Sequence, residues 1–267
     1  MPAAELRVLI ETQVEERLGG RFPTPLGWRQ RPASQMVPTG IPEVDALIGG
    51  LPRGALTEVC GPASSGGTAL VLSLLAEFTR RQELCALLDV GDCFDPASAA
   101  AAGVELGRLL WVRCSSFHPS FRRGTTFPKA GFQRPGALAS EGKTAAIEQA
   151  LRAADLVLQA GGFGLVVLDL GDVPPATARH VPLTSWFRFR RAVEETPAAL
   201  LLVTPEAVTG TCAALTLRLA VTAPAEAANL PAHARLLGGF SVTVEVARSV
   251  LAQRPGSGRK TAFATDL

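Results

Sequence analysis

The sequence predicts an α/β fold: a mostly parallel central sheet with helices on both faces. Three observations carry that prediction. From Thr39 onward, short apolar runs alternate with segments of helical periodicity. The runs are apolar throughout, as strands covered on both faces are, and do not alternate as half-exposed strands do. A glycine-rich turn, Gly61–Thr68, joins the first long run to the first long helix.

Composition narrows the class. Hydrophobic residues make up 47% and charged residues 19% of the 267 residues, a balance that excludes a disordered or acidic-tail protein. The net charge of +2 gives no global field, so nucleic-acid contact must come from a local patch. No apolar run approaches the roughly 18 residues of a membrane helix, and the N-terminus lacks a secretory pattern. No membrane partner is expected. Cys60, Cys85, Cys93, Cys114 and Cys212 show no CxxC spacing and read as reduced core thiols of a cytoplasmic protein. His118, His180 and His233 are scattered without metal-ligand spacing, so no metal site is expected.

Residues 1–35 read as a helical arm and linker. Leu6, Ile10, Val14 and Leu18 recur every four residues over 3–18, an amphipathic helix ended by Gly19-Gly20. A Pro/Arg-rich stretch containing Phe22 follows. Residues 36–267 read as the core. Its expected strands are Ala55–Cys60, Leu84–Asp89, Leu109–Arg113, Gly164–Asp169 and Ala198–Val203, alternating with helices Thr68–Gln82, Pro96–Ala102, Lys143–Ala160 and Ser185–Glu195. Residues 115–142, rich in Gly, Pro, Ser and Arg, are too long for an ordinary connection and read as a basic loop insertion. Beyond Ala213, Leu215–Val221, Phe240–Val246 and Lys260–Thr265 read as antiparallel edge strands.

Gly61, Pro62, Ser64, Ser65, Gly66, Gly67 and Thr68 fall in the frame of a phosphate-binding loop, whose backbone N–H groups and helix start cradle an anion. Gly67 stands where that loop carries its lysine, the charge that reaches the β- and γ-phosphates. Leu165–Asp169 is an apolar strand ending in a carboxylate suited to helping hold Mg²⁺; a strand-end cap is the plainer use of Asp169. The loop is thus a degenerate one, and Asp169 its Walker B-like partner.

The run Val37–Gly54 leading into Glu58–Gly66, followed by Cys85–Asp89 and Phe94-Asp95-Pro96, resembles the entry to the RecA family of bacterial recombinases. The resemblance covers residues 35–115 closely and 145–265 loosely. It implies a RecA-like P-loop NTPase core and an N-terminal helical arm. It also exposes departures. The family's lysine is Gly67, its water-activating glutamate falls on Gly91, and its adenine-stacking tyrosine falls near Ser98 in a chain without tyrosine. Its γ-phosphate-sensing pair falls on Thr204-Pro205, and its DNA-binding loop is cut short, ending at Gly210-Thr211. Losses spread over chemistry, sensing and DNA contact imply that catalysis is abandoned. The plan and length resemble the ImuA family, accessory proteins of damage-induced translesion synthesis.

That resemblance implies a non-catalytic protein of the DNA-damage response. Its partners would be a RecA-type recombinase, translesion polymerase components, or both, with Leu6, Ile10, Val14 and Phe22 as a docking arm. No cofactor is required on this reading, and weak ATP/Mg²⁺ binding by the loop stays open. Two basic, aromatic clusters are candidates for nucleic acid or partner contact: Arg122, Arg123, Lys129 and Arg134 in the insertion, and Arg188, Arg190 and Arg191 beside Trp186, Phe187 and Phe189. The plainer reading of the second cluster is amphipathic packing. Two alternatives stand beside this function: a DNA-dependent ATPase taking its lysine from Lys143 or Lys260, and a division inhibitor of the SulA kind.

Overall fold

The structure is a computed structural model, describing residues 35–114, 135–194, 196–226, 237–251 and 258–266. The arm positions Leu6, Ile10, Val14 and Phe22, and the insertion positions Arg122, Arg123, Lys129 and Arg134, lie outside the described residues.

The core opens with a small antiparallel pair, β1 (Met36–Val37) and β2 (Leu51–Pro52), around helix α1 (Pro42–Ile48). Then follow β3 (Ala55–Cys60), α2 (Gly67–Arg80), β4 (Leu84–Asp89), α3 (Pro96–Ala101), β5 (Leu109–Arg113), α4 (Pro135–Ala160), β6 (Phe163–Asp169), α5 (Pro175–Ala178), α6 (Leu183–Glu194), β7 (Ala199–Thr204), β8 (Leu215–Glu226), β9 (Leu237–Ser249) and β10 (Lys260–Asp266). One eight-stranded sheet runs β10-β9-β8-β3-β7-β6-β4-β5. From β8 to β5 every pairing is parallel, while β9 and β10 are antiparallel to their neighbours.

Burial explains these elements. Every residue of β3 and of β7 is buried, because both strands are central and covered on both faces. Alternate side chains feed two cores. One gathers α1, α2 and the inward residues of β8–β10, with Leu70, Leu74, Leu75 and Phe78 of α2 at its centre. The other holds α4 and α6, with Ala150, Ala154, Trp186 and Phe189 against Leu56, Val166 and Leu200. The 3–4 spacing of the buried α2 residues is the helical period seen in the sequence.

The α/β architecture expected from the sequence is present, and β3, β4 and β5 have the expected bounds. Three expectations need correction. β8 is antiparallel on one side only: it pairs antiparallel with β9 as expected, but parallel with β3, Thr57 opposite Leu215. Helix α4 begins at Pro135, so residues 135–142 are helix and not loop; Pro at the first turn gives up only an N–H that has no helical acceptor. Cys93 is exposed, unlike the buried Cys60, Cys85, Cys114 and Cys212. Among the described residues no helix is long and apolar enough to cross a membrane.

Candidate functional site: a phosphate loop without a cation

The C-terminal ends of β3, β4, β6 and β7 open into a cleft of about 1450 Å³, lined by the loop after β3, by Asp169 and Asp172, and by Phe94 and Ser98. Strand C-termini are where sheets of this kind bind ligands. The loop is tightly built. Gly61 N–H donates to the Thr204 carbonyl at 3.1 Å, and Ser65 N–H to Pro62 at 3.1 Å. Ser64 and Gly66 have φ of 60° and 92°, a left-handed pair that turns successive N–H groups toward one point.

The glycines of this loop differ in what holds them. A Cβ on Gly61 would lie 2.7 Å from the Leu219 carbonyl oxygen, and one on Gly66 would lie 2.6 Å from Val242 Cγ2. Both are fixed by the close approach of β8 and β9. At Gly67 a Cβ would meet nothing closer than Val203 Cγ1 at 3.7 Å. Packing therefore does not impose glycine where the lysine is absent. Gly66→Ala is expected to cost about 2–3 kcal/mol through left-handed strain and the Val242 clash, whereas Gly67→Ala should gain a few tenths to ~1 kcal/mol. Chemical denaturation of the two variants checks the opposite signs; equal signs would contradict the steric account.

Asp169 sits at the end of β6, its Oδ1 accepting from Gly171 N–H at 2.8 Å. Burial, with the like charges of Asp89 and Asp172, pushes its carboxyl up to about 6, with no cation among the described residues lowering it. Asp89 is 2% exposed and structural: it accepts from Cys93 N, Phe94 N and Trp111 Nε1 at 3.0–3.2 Å and so fixes the turn after β4. Gly91 lies in that turn, where a Cβ would come within 2.7 Å of Asp172 Oδ2. A glutamate there would displace Asp172. The hydrogen bond with Asp172, burial and the nearby carboxylates push the Cys93 thiol up to about 11, so it is a poor nucleophile despite its exposure. Ser98 Oγ donates to Asp95 within the first turn of α3. Among the described residues no cluster of His, Cys, Asp or Glu is suited to a metal ion.

The other sequence-singled residues fall elsewhere. Lys260 pairs with Glu245 at 3.2 Å and does not line the cleft; the side chain of Lys143 lies outside the described residues. Arg188 pairs with Asp155 at 3.2 Å and Arg190 with Glu194 at 2.8 Å, Arg191 is exposed, and Trp186 and Phe189 are buried. The aromatic side of this cluster packs inward, and two of its arginines are engaged in ion pairs.

Sequence reasoning missed Glu58. On β3 it is 1% exposed, yet its carboxylate accepts from Val208 N at 2.6 Å, Thr209 N at 3.1 Å and Thr209 Oγ1 at 2.6 Å. It pins the β7–β8 connection from beneath. Arg248 Nη1 holds the same segment from outside through the Gly210 and Ala213 carbonyls. That connection spans Pro205–Ala214, close to the gap the expected strands leave. A charged residue in an apolar strand was the only available signal.

The profile of the RecA N-terminal domain matches residues 6–116. Protein RecA of Rickettsia massiliae (strain Mtu5) is 30% identical over 159 residues, 59% of this chain and 38% of that protein. Protein RecA of Ectopseudomonas oleovorans is 32% identical over 160 residues, 59% and 37% of the two chains. That of Rhodopirellula baltica is 39% identical over 106 residues, 39% and 28%. The chain thus spans well under half the length of the curated relatives it matches. Sheet order, loop position and these similarities agree: the chain has a RecA-like α/β core, similar to the RecA N-terminal domain over residues 6–116.

Proposed function

We propose that the protein is a non-catalytic RecA-like accessory factor of the bacterial DNA-damage response, of the ImuA kind. It would act by contact with a recombinase or with translesion polymerase components. The RecA similarity supports a place in DNA repair or recombination. The observation that carries the rest is the Asp169 carboxylate, which stands in an open cleft with no cation among the described residues acting on it, across from a glycine that packing does not require. A phosphoryl-transfer site works by placing positive charge where negative charge develops. Asp169 and Asp172 line the cleft, and at Gly91, where the resemblance would put the water activator, a side chain would have to displace Asp172.

ATP turnover of the purified protein, with and without single-stranded DNA, is expected at the background of the assay. The variant Gly67→Lys is expected to stay there as well, because the lysine returns without the water activator. DNA-stimulated turnover on the order of ~1 s⁻¹, ordinary for an enzyme, would refute the reading. Nucleotide affinity by calorimetry should be no better than roughly high micromolar, since the loop offers backbone N–H groups alone.

A further inference from the structure

On the sheet face opposite Leu217, Leu219, Val242 and Val244, strands β8–β10 carry no large apolar residue among their described side chains: Thr216, Arg218, Ala220, Thr243, Glu245, Ala262 and Ala264. Where this face meets the β7–β8 connection, three arginines gather. Arg248 spends one nitrogen on the Gly210 and Ala213 carbonyls. Arg190 reaches toward the Thr211 carbonyl at 3.5 Å while pairing with Glu194. Arg218 is exposed and stands beside Cys60 of β3 in the parallel register. Among the described side chains no carboxylate forms an ion pair with Arg218 or Arg248: Glu245, opposite Arg218 in the β8–β9 register, pairs with Lys260, Glu206 pairs with Arg179, and Glu58 lies buried beneath the connection.

We propose that the strand-end face bounded by Arg190, Arg218 and Arg248 docks an acidic segment of a partner protein. Charge complementarity selects the occupant. Two guanidinium groups lack a carboxylate partner, and that of Arg248 is held in place by the Gly210 and Ala213 carbonyls, so little of its side-chain entropy remains to be lost on binding. The planar fork of arginine matches a carboxylate in two-bonded geometry. A single DNA strand fits less well. Strand binding combines backbone charge with aromatic platforms, yet Trp186 and Phe189 beside this face are buried and the connection is pinned by Glu58. The small side chains of β8–β10 leave a flat floor on which an extended or helical segment can lie. The inference rests on the accessory reading only in preferring protein to DNA.

The test is fluorescence anisotropy of the full-length protein with a labelled 20-residue peptide of alternating Glu and Ala, and with a labelled oligo-dT of equal length. The peptide is expected to bind, more weakly as salt rises. Arg218→Ala should weaken it about tenfold, as loss of one charge-assisted hydrogen bond does. Arg248→Gln, its folding checked by circular dichroism, should weaken it further, and the distant exposed Arg80→Ala should have no effect. Absence of peptide binding, or peptide binding indifferent to Arg218→Ala, would overturn the proposal. So would oligo-dT binding that outcompetes the peptide and depends on the same arginines. ATP turnover would refute the non-catalytic reading and leave this outcome intact.

Discussion

Glu58→Ala is expected to destabilise the protein by about 3–4 kcal/mol, the largest loss from any single polar truncation argued here. The substitution strips the acceptor from Val208 N, Thr209 N and Thr209 Oγ1 at once. Thr209 is fully buried, so water does not replace the acceptor without opening the segment. Each orphaned buried donor costs roughly 1–3 kcal/mol, with partial relief as the loop relaxes. Glu58→Gln keeps one acceptor oxygen and should cost only about half as much. Urea titration followed by tryptophan fluorescence measures both. Hydrogen exchange should localise the loss of protection to residues 208–209 before global unfolding. A cost under about 1 kcal/mol for the alanine variant would mean that the carboxylate is not what holds the connection.

That connection marks the limit of what the sequence could say. Strands β3, β4 and β5 are legible residue by residue because each apolar run is bounded by Gly, Pro or charged residues. The start of α4 is not, because Pro135-Gly136 and Gly142 carry poor helix propensity that the longer helix overrides. The direction of β8 relative to β3 is invisible to periodicity, which reports burial and not polarity; the paired residues, such as Thr57 and Leu215, lie 158 apart in sequence. The same holds within the site. Gly61–Thr68 is a local pattern and could be read directly. The Glu58 pin joins residues 150 apart in sequence, and the closure of Gly91 by Asp172 depends on how two strand ends meet. The sequence showed that a lysine and a glutamate were missing. Only the packing shows that the first position has room for a side chain as it stands, whereas at the second a side chain would have to displace Asp172.

Asp169→Asn is expected to stabilise the protein by about 2–3 kcal/mol near pH 7.5 and by almost nothing near pH 4. The folded carboxyl is raised from 3.8 to about 6 by burial and by Asp89 and Asp172. A raised carboxyl binds its proton more tightly in the folded state than in the unfolded one. Its contribution is therefore fully present below about pH 4 and is lost as pH rises through about 6. The asparagine keeps an acceptor for Gly171 N–H and has no charge to desolvate. Denaturation at the two pH values checks the prediction; an equal gain at both, or a loss at pH 7.5, would contradict it. The Gly67→Lys variant supplies a second arm. Positions 67 and 171 both face Val203 Cγ1, and a Cβ on Gly171 would lie 3.1 Å from Asp169 Oδ1. A lysine at 67 thus runs toward the uncompensated carboxylate, and should stabilise the parent at pH 7.5 by about 1 kcal/mol more than it stabilises the Asp169→Asn background. That coupling would vanish if the ammonium pointed to solvent. A carboxylate that costs stability at neutral pH, in a cleft with room beside it for a cation, is what the proposed accessory role expects of a phosphate site that has lost its positive half.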